Sequence, residues 1–234
     1  LVLFHHEPRY DDRKVHGMLR RAQKSINAGC EFFHGGPEEL ETNITRREDL
    51  IDRLQHEITA YLVELSTKEL TPTESSLIPA LIHAVNDAER IGDHSENLVE
   101  LTHLRRKGGY AFTGQAVSEL RQFQEMLNTQ FEATYRTLSG VNGKALKEAE
   151  ENEDRINAFV QQASDAHVQR LENGECQLQS GVIFLDLLAH LERVGDHLAN
   201  IAERAGRITQ VVGVVHDHDR DMEDRPKAPS KTKA

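Results

Sequence analysis

One seven-residue pattern, identical at five positions, occurs twice in this chain. Ala88-Glu89-Arg90-Ile91-Gly92-Asp93-His94 returns as Leu191-Glu192-Arg193-Val194-Gly195-Asp196-His197, displaced by 103 residues. Asn97 and Asn200 follow at the same displacement. Upstream, Glu48-Asp49-Leu50-Ile51-Asp52 matches Glu153-Asp154-Arg155-Ile156-Asn157, displaced by 105. A chain that repeats one pattern is expected to fold as two copies of one unit, because each copy carries the same apolar stripe to bury. The boundary between the copies falls near Lys107 to Tyr110.

The unit is helical. Val15, Leu19, Ala22 and Ile26 recur at intervals of three and four, as do Ile51, Leu54, Ile58, Leu62 and Leu65. Leu120, Phe123, Leu127 and Phe131 mark a fourth helix, and Ile183, Leu187, Leu191, Val194, Leu198 and Ile201 a sixth. Breaks fall at Gly35-Gly36-Pro37, Thr71-Pro72, Lys107-Gly108-Gly109, Ser139 to Gly143 and Asn173-Gly174. They divide the chain into six helices of about 25–35 residues with short connections. Thr71-Pro72-Thr73-Glu74 reads as a threonine cap with proline at the first helical position. The expected fold is all-α, two tandem antiparallel three-helix bundles. Residues 1–10 read as a leader or linker, 11–107 as the first repeat and 108–212 as the second. Residues 213–234, with His216-Asp217-His218-Asp219 and no periodic apolar face, read as a flexible polar tail.

Charge narrows the function. The net charge is −11 and the pI about 5.6, which disfavours nucleic acid and suits metals or basic surfaces. The most apolar run, Gly181 to Leu191, is interrupted by Asp186 and His190 and is too short to span a membrane. Cys30 and Cys176 have neither disulfide-framework nor metal-ligand spacing, and a reducing cytoplasm is the expected setting. No Ser/His/Asp set, phosphate-cradling glycine loop or nucleophilic cysteine context stands out, so the chain reads as a non-enzyme.

The repeated residues carry the candidate chemistry. Glu89 and Asp93 are four apart and share a helix face, and Asn97 extends the row; Glu192, Asp196 and Asn200 repeat it. Glu48 and Asp52 form the same spacing on the second helix, and His56 continues that row. Like charges at this spacing repel, so their double use points to a cation that offsets the repulsion. If the second and third helices face each other, four carboxylates converge as a hard-oxygen site for iron, manganese, magnesium or calcium. Arg90 and Arg193 either pair with Asp93 and Asp196 along the helix or support metal-bound carboxylates from behind. Gly92 and Gly195 each cost about 1 kcal/mol against alanine in a helix, which points to close helix approach or a ligand lying on the backbone. His94 and His197 point about a third of a turn away and read as cap or salt-bridge partners rather than ligands.

At these residues the sequence resembles the PhoU family, through the repeated Glu-Arg-Ile/Val-Gly-Asp-His segment on the third and sixth helices. The resemblance covers roughly residues 11–212. It implies two three-helix bundles bearing Glu/Asp-x-x-x-Asp metal motifs and a role in controlling phosphate uptake. Carried over, Glu48, Asp52, Glu89 and Asp93 form a first metal site, and Glu153, Glu192 and Asp196 a second. Asn157 stands where the second site would have another aspartate, which puts its full occupancy in doubt. Asp49, Asp154, Asn97, Asn157, Asn200, Arg90 and Arg193 are the implied supporting or additional groups. The implied cofactors are divalent or trivalent ions of iron, manganese, magnesium or zinc.

Tyr61-Leu62-Val63-Glu64-Leu65-Ser66, and Asn173-Gly174-Glu175-Cys176 before Gly181-Val182-Ile183-Phe184, look like the cytoplasmic PhoU-like domain of bacterial sodium/phosphate cotransporter-related proteins. The chain also lacks the Gln-Pro segment usual before the third helix of free-standing regulators, and it opens on Leu1 rather than Met. The first expectation is therefore a cotransporter's regulatory domain at the inner face of the membrane. The alternative is a free-standing PhoU regulator acting on a phosphate ABC transporter and a two-component sensor. Either way the implied partners are a membrane phosphate transporter, in the same chain or a separate subunit, inorganic phosphate, and a second copy in a homodimer.

Overall fold

The structure is a computed structural model that describes residues 12–140 and 143–223, and their side chains except at 12, 13, 73 and 209–223. Six helices account for nearly all of it: α1 Asp12–Phe33, α2 Glu39–Ser66, α3 Pro72–Gly108, α4 Gly114–Leu138, α5 Gly143–Glu172 and α6 Leu178–Glu223. Among the described residues there is no strand.

Local chemistry sets the helix ends. Thr71 caps α3 through a reciprocal pair: its hydroxyl accepts from the Glu74 amide at 3.2 Å, and its own amide donates to the Glu74 carboxylate at 2.9 Å. At the other end Gly109 turns the chain with φ of +63°, a conformation that strains a residue bearing a Cβ. Thr113 caps α4 by the simpler half of this arrangement, its hydroxyl accepting from the Ala116 amide.

The leader expected over 1–10 and residues 224–234 of the expected tail lie outside the described residues. The start of that tail is corrected: α6 remains helical to Glu223 instead of ending near 212. Extending an existing helix adds one hydrogen bond per residue without a nucleation cost. Apolar periodicity reports packing, so it stops before the helix does.

Each repeat packs its three helices on one another, and the two repeats join through α3 against α6, with a smaller contact between α1 and α4. The main apolar cluster therefore runs through both halves, from Met18, Ile51 and Ile91 to Phe123, Ile156 and Val194. That demands helices with two buried faces. On α6, Ile183, Phe184, Leu187, Leu188, Leu191 and Val194 make a stripe wide enough to serve α4, α5 and α3 together. The α1–α4 contact is polar: Asn27 donates to Asn128 at 2.9 Å, Gln124 donates to Asn27 at 2.8 Å, and the Tyr135 hydroxyl donates to Gln23 at 3.0 Å.

The paired glycines are explained by helix approach. A Cβ on Gly92 would lie 3.2 Å from Cδ1 of Ile51, and one on Gly195 would lie 3.4 Å from Cγ2 of Ile156. Ile51 and Ile156 are themselves counterparts in the repeat, so each glycine seats the same isoleucine of its own bundle. The small difference in clearance has a measurable consequence. Gly195→Ala meets an ordinary contact and gains helix propensity, so chemical denaturation should show stabilisation of up to about 1 kcal/mol. Gly92→Ala forces Ile51 to give way and should gain nothing or lose stability.

Candidate metal centre

The close seating of Gly92 on Ile51 brings α2 and α3 together at the level of the acidic residues. Glu48 and Asp52, one turn apart on α2, face Asp93 on α3. Each of the three can offer a carboxylate oxygen such that all these oxygens lie within 4.8 Å of one another. Glu48 and Asp52 are half-buried and Asp93 is exposed, so the group sits at the surface with α2 and α3 as its floor. No second group of three potential ligands converges this closely among the described residues.

The electrostatics of the group is that of negative charges held together against their repulsion. The Glu48 carboxyl is pushed up to about 7, first by burial, then by the charge of Asp52, with Glu96, a proton shared with Asp52, and Asp93 contributing. Asp93 is raised by burial and by Asp52, and partly relieved by Arg90 and His197. Glu89 is raised by burial, Asp93 and Asp52, and eased by Arg90 and His56. Among the described residues no lysine or arginine forms an ion pair with Glu48, Asp52 or Asp93. A small hard cation fits such a donor set: it takes carboxylate oxygens, and it would displace the proton from Glu48.

This arrangement makes a pH prediction. Glu48 holds its proton up to about 7 in the folded protein, against 4.5 for the ordinary group. Between those values the folded state binds more protons than the unfolded state, so the stability of the metal-free protein falls as pH rises through the window. A bound cation needs the charged carboxylate, so its affinity should rise with pH over the same range, with proton release. Calorimetric metal titrations in buffers of different ionisation enthalpy check this; a heat independent of buffer would contradict it.

Not every expected ligand converges. Glu89 stands one turn back on α3, close enough to feel Asp93 and Asp52 but outside the 4.8 Å group. Asn97 donates to the Asp93 backbone carbonyl at 3.1 Å, a bond along its own helix. Asp49 is exposed and adds to the field around Glu96. Arg90 is exposed and acts on Asp93 through its charge.

In the second repeat the residues spread out along α5 and α6. Glu153 is raised by burial, then by Asp196, Asp154, Glu150 and Glu203. Glu150, Glu153, Asn200 and Glu203 line a surface pocket between α5 and α6. Glu192 is raised by burial and Asp196. Asp196 itself is raised by burial and relieved by His197 and Arg193. Asn157, the counterpart of Asp52, is exposed, and Asp154 is exposed beside it.

One participant escaped the sequence reading. Glu96 acts on Glu48 and is itself raised by burial, Asp93 and Asp52. It continues the Glu89–Asp93 row at the next helical turn, and Glu100 extends it further, which was the available signal. Its counterpart in the second repeat is Ala199, one more reason that the two halves differ.

Comparison with known proteins agrees with this architecture. The family model for the PhoU domain matches residues 15–102 and 120–205. The phosphate-specific transport system accessory protein PhoU homolog 1 of Thermotoga maritima is 25% identical over 199 residues, covering 81% of each chain. The crystal structure of PhoU from Pseudomonas aeruginosa superposes with a TM-score of 0.77 at 18% identity, covering 85% of this chain and 94% of that one. The phosphate transport system regulatory protein PhoU of Streptococcus pneumoniae gives a TM-score of 0.68 at 17% identity, with 84% and 91% covered.

None of these names refers to a sodium cotransporter. The segments that suggested one are helix ends: Tyr61–Ser66 closes α2, and Asn173–Cys176 is the turn between α5 and α6, where Gly174 has φ of +72°. Two matched repeats on a six-helix fold place this chain in the PhoU domain family.

Proposed function

We propose that this protein is a free-standing, metal-dependent regulator of a phosphate transport system, acting at the cytoplasmic face of the membrane. The observation that carries the reading is the convergence of Glu48, Asp52 and Asp93. The relatives' names support the free-standing regulator over the cotransporter domain. Among the described residues no helix is long and apolar enough to cross a membrane.

The mechanism follows from charge. Without metal the acidic surface attracts the basic cytoplasmic loops of a membrane transporter. A bound cation cancels that charge locally and offers positive potential to inorganic phosphate or an anionic face. Occupancy thus switches the affinity for the transporter, and no bond in any substrate is made or broken. Cells lacking the protein, complemented with wild type or with a Glu48→Gln, Asp52→Asn, Asp93→Asn variant, test the reading through phosphate uptake. The variant should fold and fail to restrain uptake at high phosphate. Full restoration by the variant would remove metal from the mechanism, and no effect of wild type on uptake would overturn the function itself.

A further inference from the structure

The chain just ahead of α4 closes one end of the seam between the repeats. Phe112 stands two residues before Gly114, where α4 begins. Its ring meets Phe33 of α1 edge-on at 5.3 Å between centroids and lies 6.3 Å from Phe184 of α6. The guanidinium of Arg105, on α3, lies over the same ring at 5.0 Å. One aromatic side chain thus joins helices of both repeats in a single seat.

The internal repeat places a second seat at the opposite end of the seam. At the 103-residue displacement Phe184 corresponds to Leu81, Leu187 to Ala84 and Arg105 to Ile208. Leu81, Ala84 and Ile208 all line one groove, together with Val15 of α1, Leu138 of α4 and Ile201 of α6. Leu138 ends α4 as Phe33 ends α1, so each wall of the Phe112 seat has its mate here. Leucine in place of Phe184 and alanine in place of Leu187 take side-chain volume out of these walls, and isoleucine in place of Arg105 removes the charge.

The mate of Phe112 itself lies outside the described residues. α1 begins at Asp12, and the residue two before it is Tyr10. Two residues of extended chain span about 7 Å. Val15, in the first turn of α1, is already part of the groove wall, so the groove is within reach. A tyrosine suits it: the ring buries against aliphatic walls while the hydroxyl stays in water at the mouth.

We propose that this groove is the receptor for the Tyr10 side chain, which docks the segment ahead of α1 across both repeats. Docking would tie α1 and α3 to α4 and α6 at this end, as Phe112 ties α1 and α3 to α6 at the other. The proposal stands whether or not the protein regulates phosphate transport.

The chain contains no tryptophan, so Tyr10→Trp introduces a single fluorescent reporter into the full-length protein. Its emission should be blue-shifted from that of the urea-unfolded chain, and iodide should quench it several-fold less. Nuclear Overhauser contacts should run from the indole to the methyl groups of Leu81 and Ile208. Adding Leu81→Glu, which puts a charge in the groove wall, should return emission and quenching to the solvent-exposed values. Val63→Glu, at an exposed position on α2, should change neither. A freely quenched reporter in the otherwise native chain would overturn the proposal, as would protection without contacts to Leu81 and Ile208. Protection that is lost on dilution would give the seat to a second copy of the chain and overturn it as well. The quenching and the contacts need no change in the groove, so they decide the matter even if Leu81→Glu fails to fold.

Discussion

Asp93→Asn is expected to weaken divalent-cation binding by at least about tenfold, because it removes one of three converging charged donors from a hard-oxygen site. The same substitution should raise the melting temperature of the metal-free protein, since Asp93 is one of the charges that push Glu48 up to about 7. These opposite signs are the diagnostic feature. A side chain that merely packs would lower both quantities, whereas a repelled ligand lowers one and raises the other. Asp196→Asn should have the smaller effect on metal stoichiometry. Its neighbours Glu153 and Glu192 are not drawn into a comparable group, and Asn157 replaces the missing aspartate. Elemental analysis of the two purified variants after metal loading checks the ranking, and a larger loss from Asp196→Asn would reverse it.

The largest stability effect is expected away from the metal centre, at Arg170. This residue of α5 is 4% exposed and forks onto Glu119 of α4, with Nη1 at 2.9 Å from one oxygen and Nη2 at 2.7 Å from the other. Its guanidinium also lies over the Phe184 ring of α6. The pair therefore ties all three helices of the second repeat. Arg170→Leu leaves the Glu119 carboxylate in a poorly solvated place without its partner, at a cost of about 3–5 kcal/mol. Removing both charges, as in Arg170→Leu with Glu119→Leu, should recover most of that loss, because desolvation and attraction vanish together. Urea denaturation of the single and double variants measures the coupling. Additive losses would mean that the two side chains do not act as a pair.

Much of the molecule was legible in the residues. Thr71, Pro72 and Glu74 announce a helix start, and that chemistry is local: it involves atoms within one turn of chain. The same holds for the rows Glu48–Asp52 and Glu89–Asp93, since residues four apart share a face in any α-helix. Arg170 was not legible. An arginine on an acidic helix reads as a solvated charge, and only the approach of α4 makes it a buried one.

The chain thus specified six helices, most of their ends, the pairing of the two repeats and the acidic rows, because each depends on contacts a few residues apart. Which rows meet was decided by packing between helices. The fit of Ile51 against Gly92 sets how closely α2 approaches α3, and with it the convergence of Glu48, Asp52 and Asp93. The rotation of α3 leaves Glu89 a turn behind and brings the charge of Glu96 to bear on Glu48. Packing of α3 on α6 likewise turned two separate bundles into one with a shared core and set His94 beside His190. Periodicity records which way a side chain leaves its own helix. It does not record the rotation or depth at which the next helix docks, and those depend on the summed shape of residues far apart in the chain.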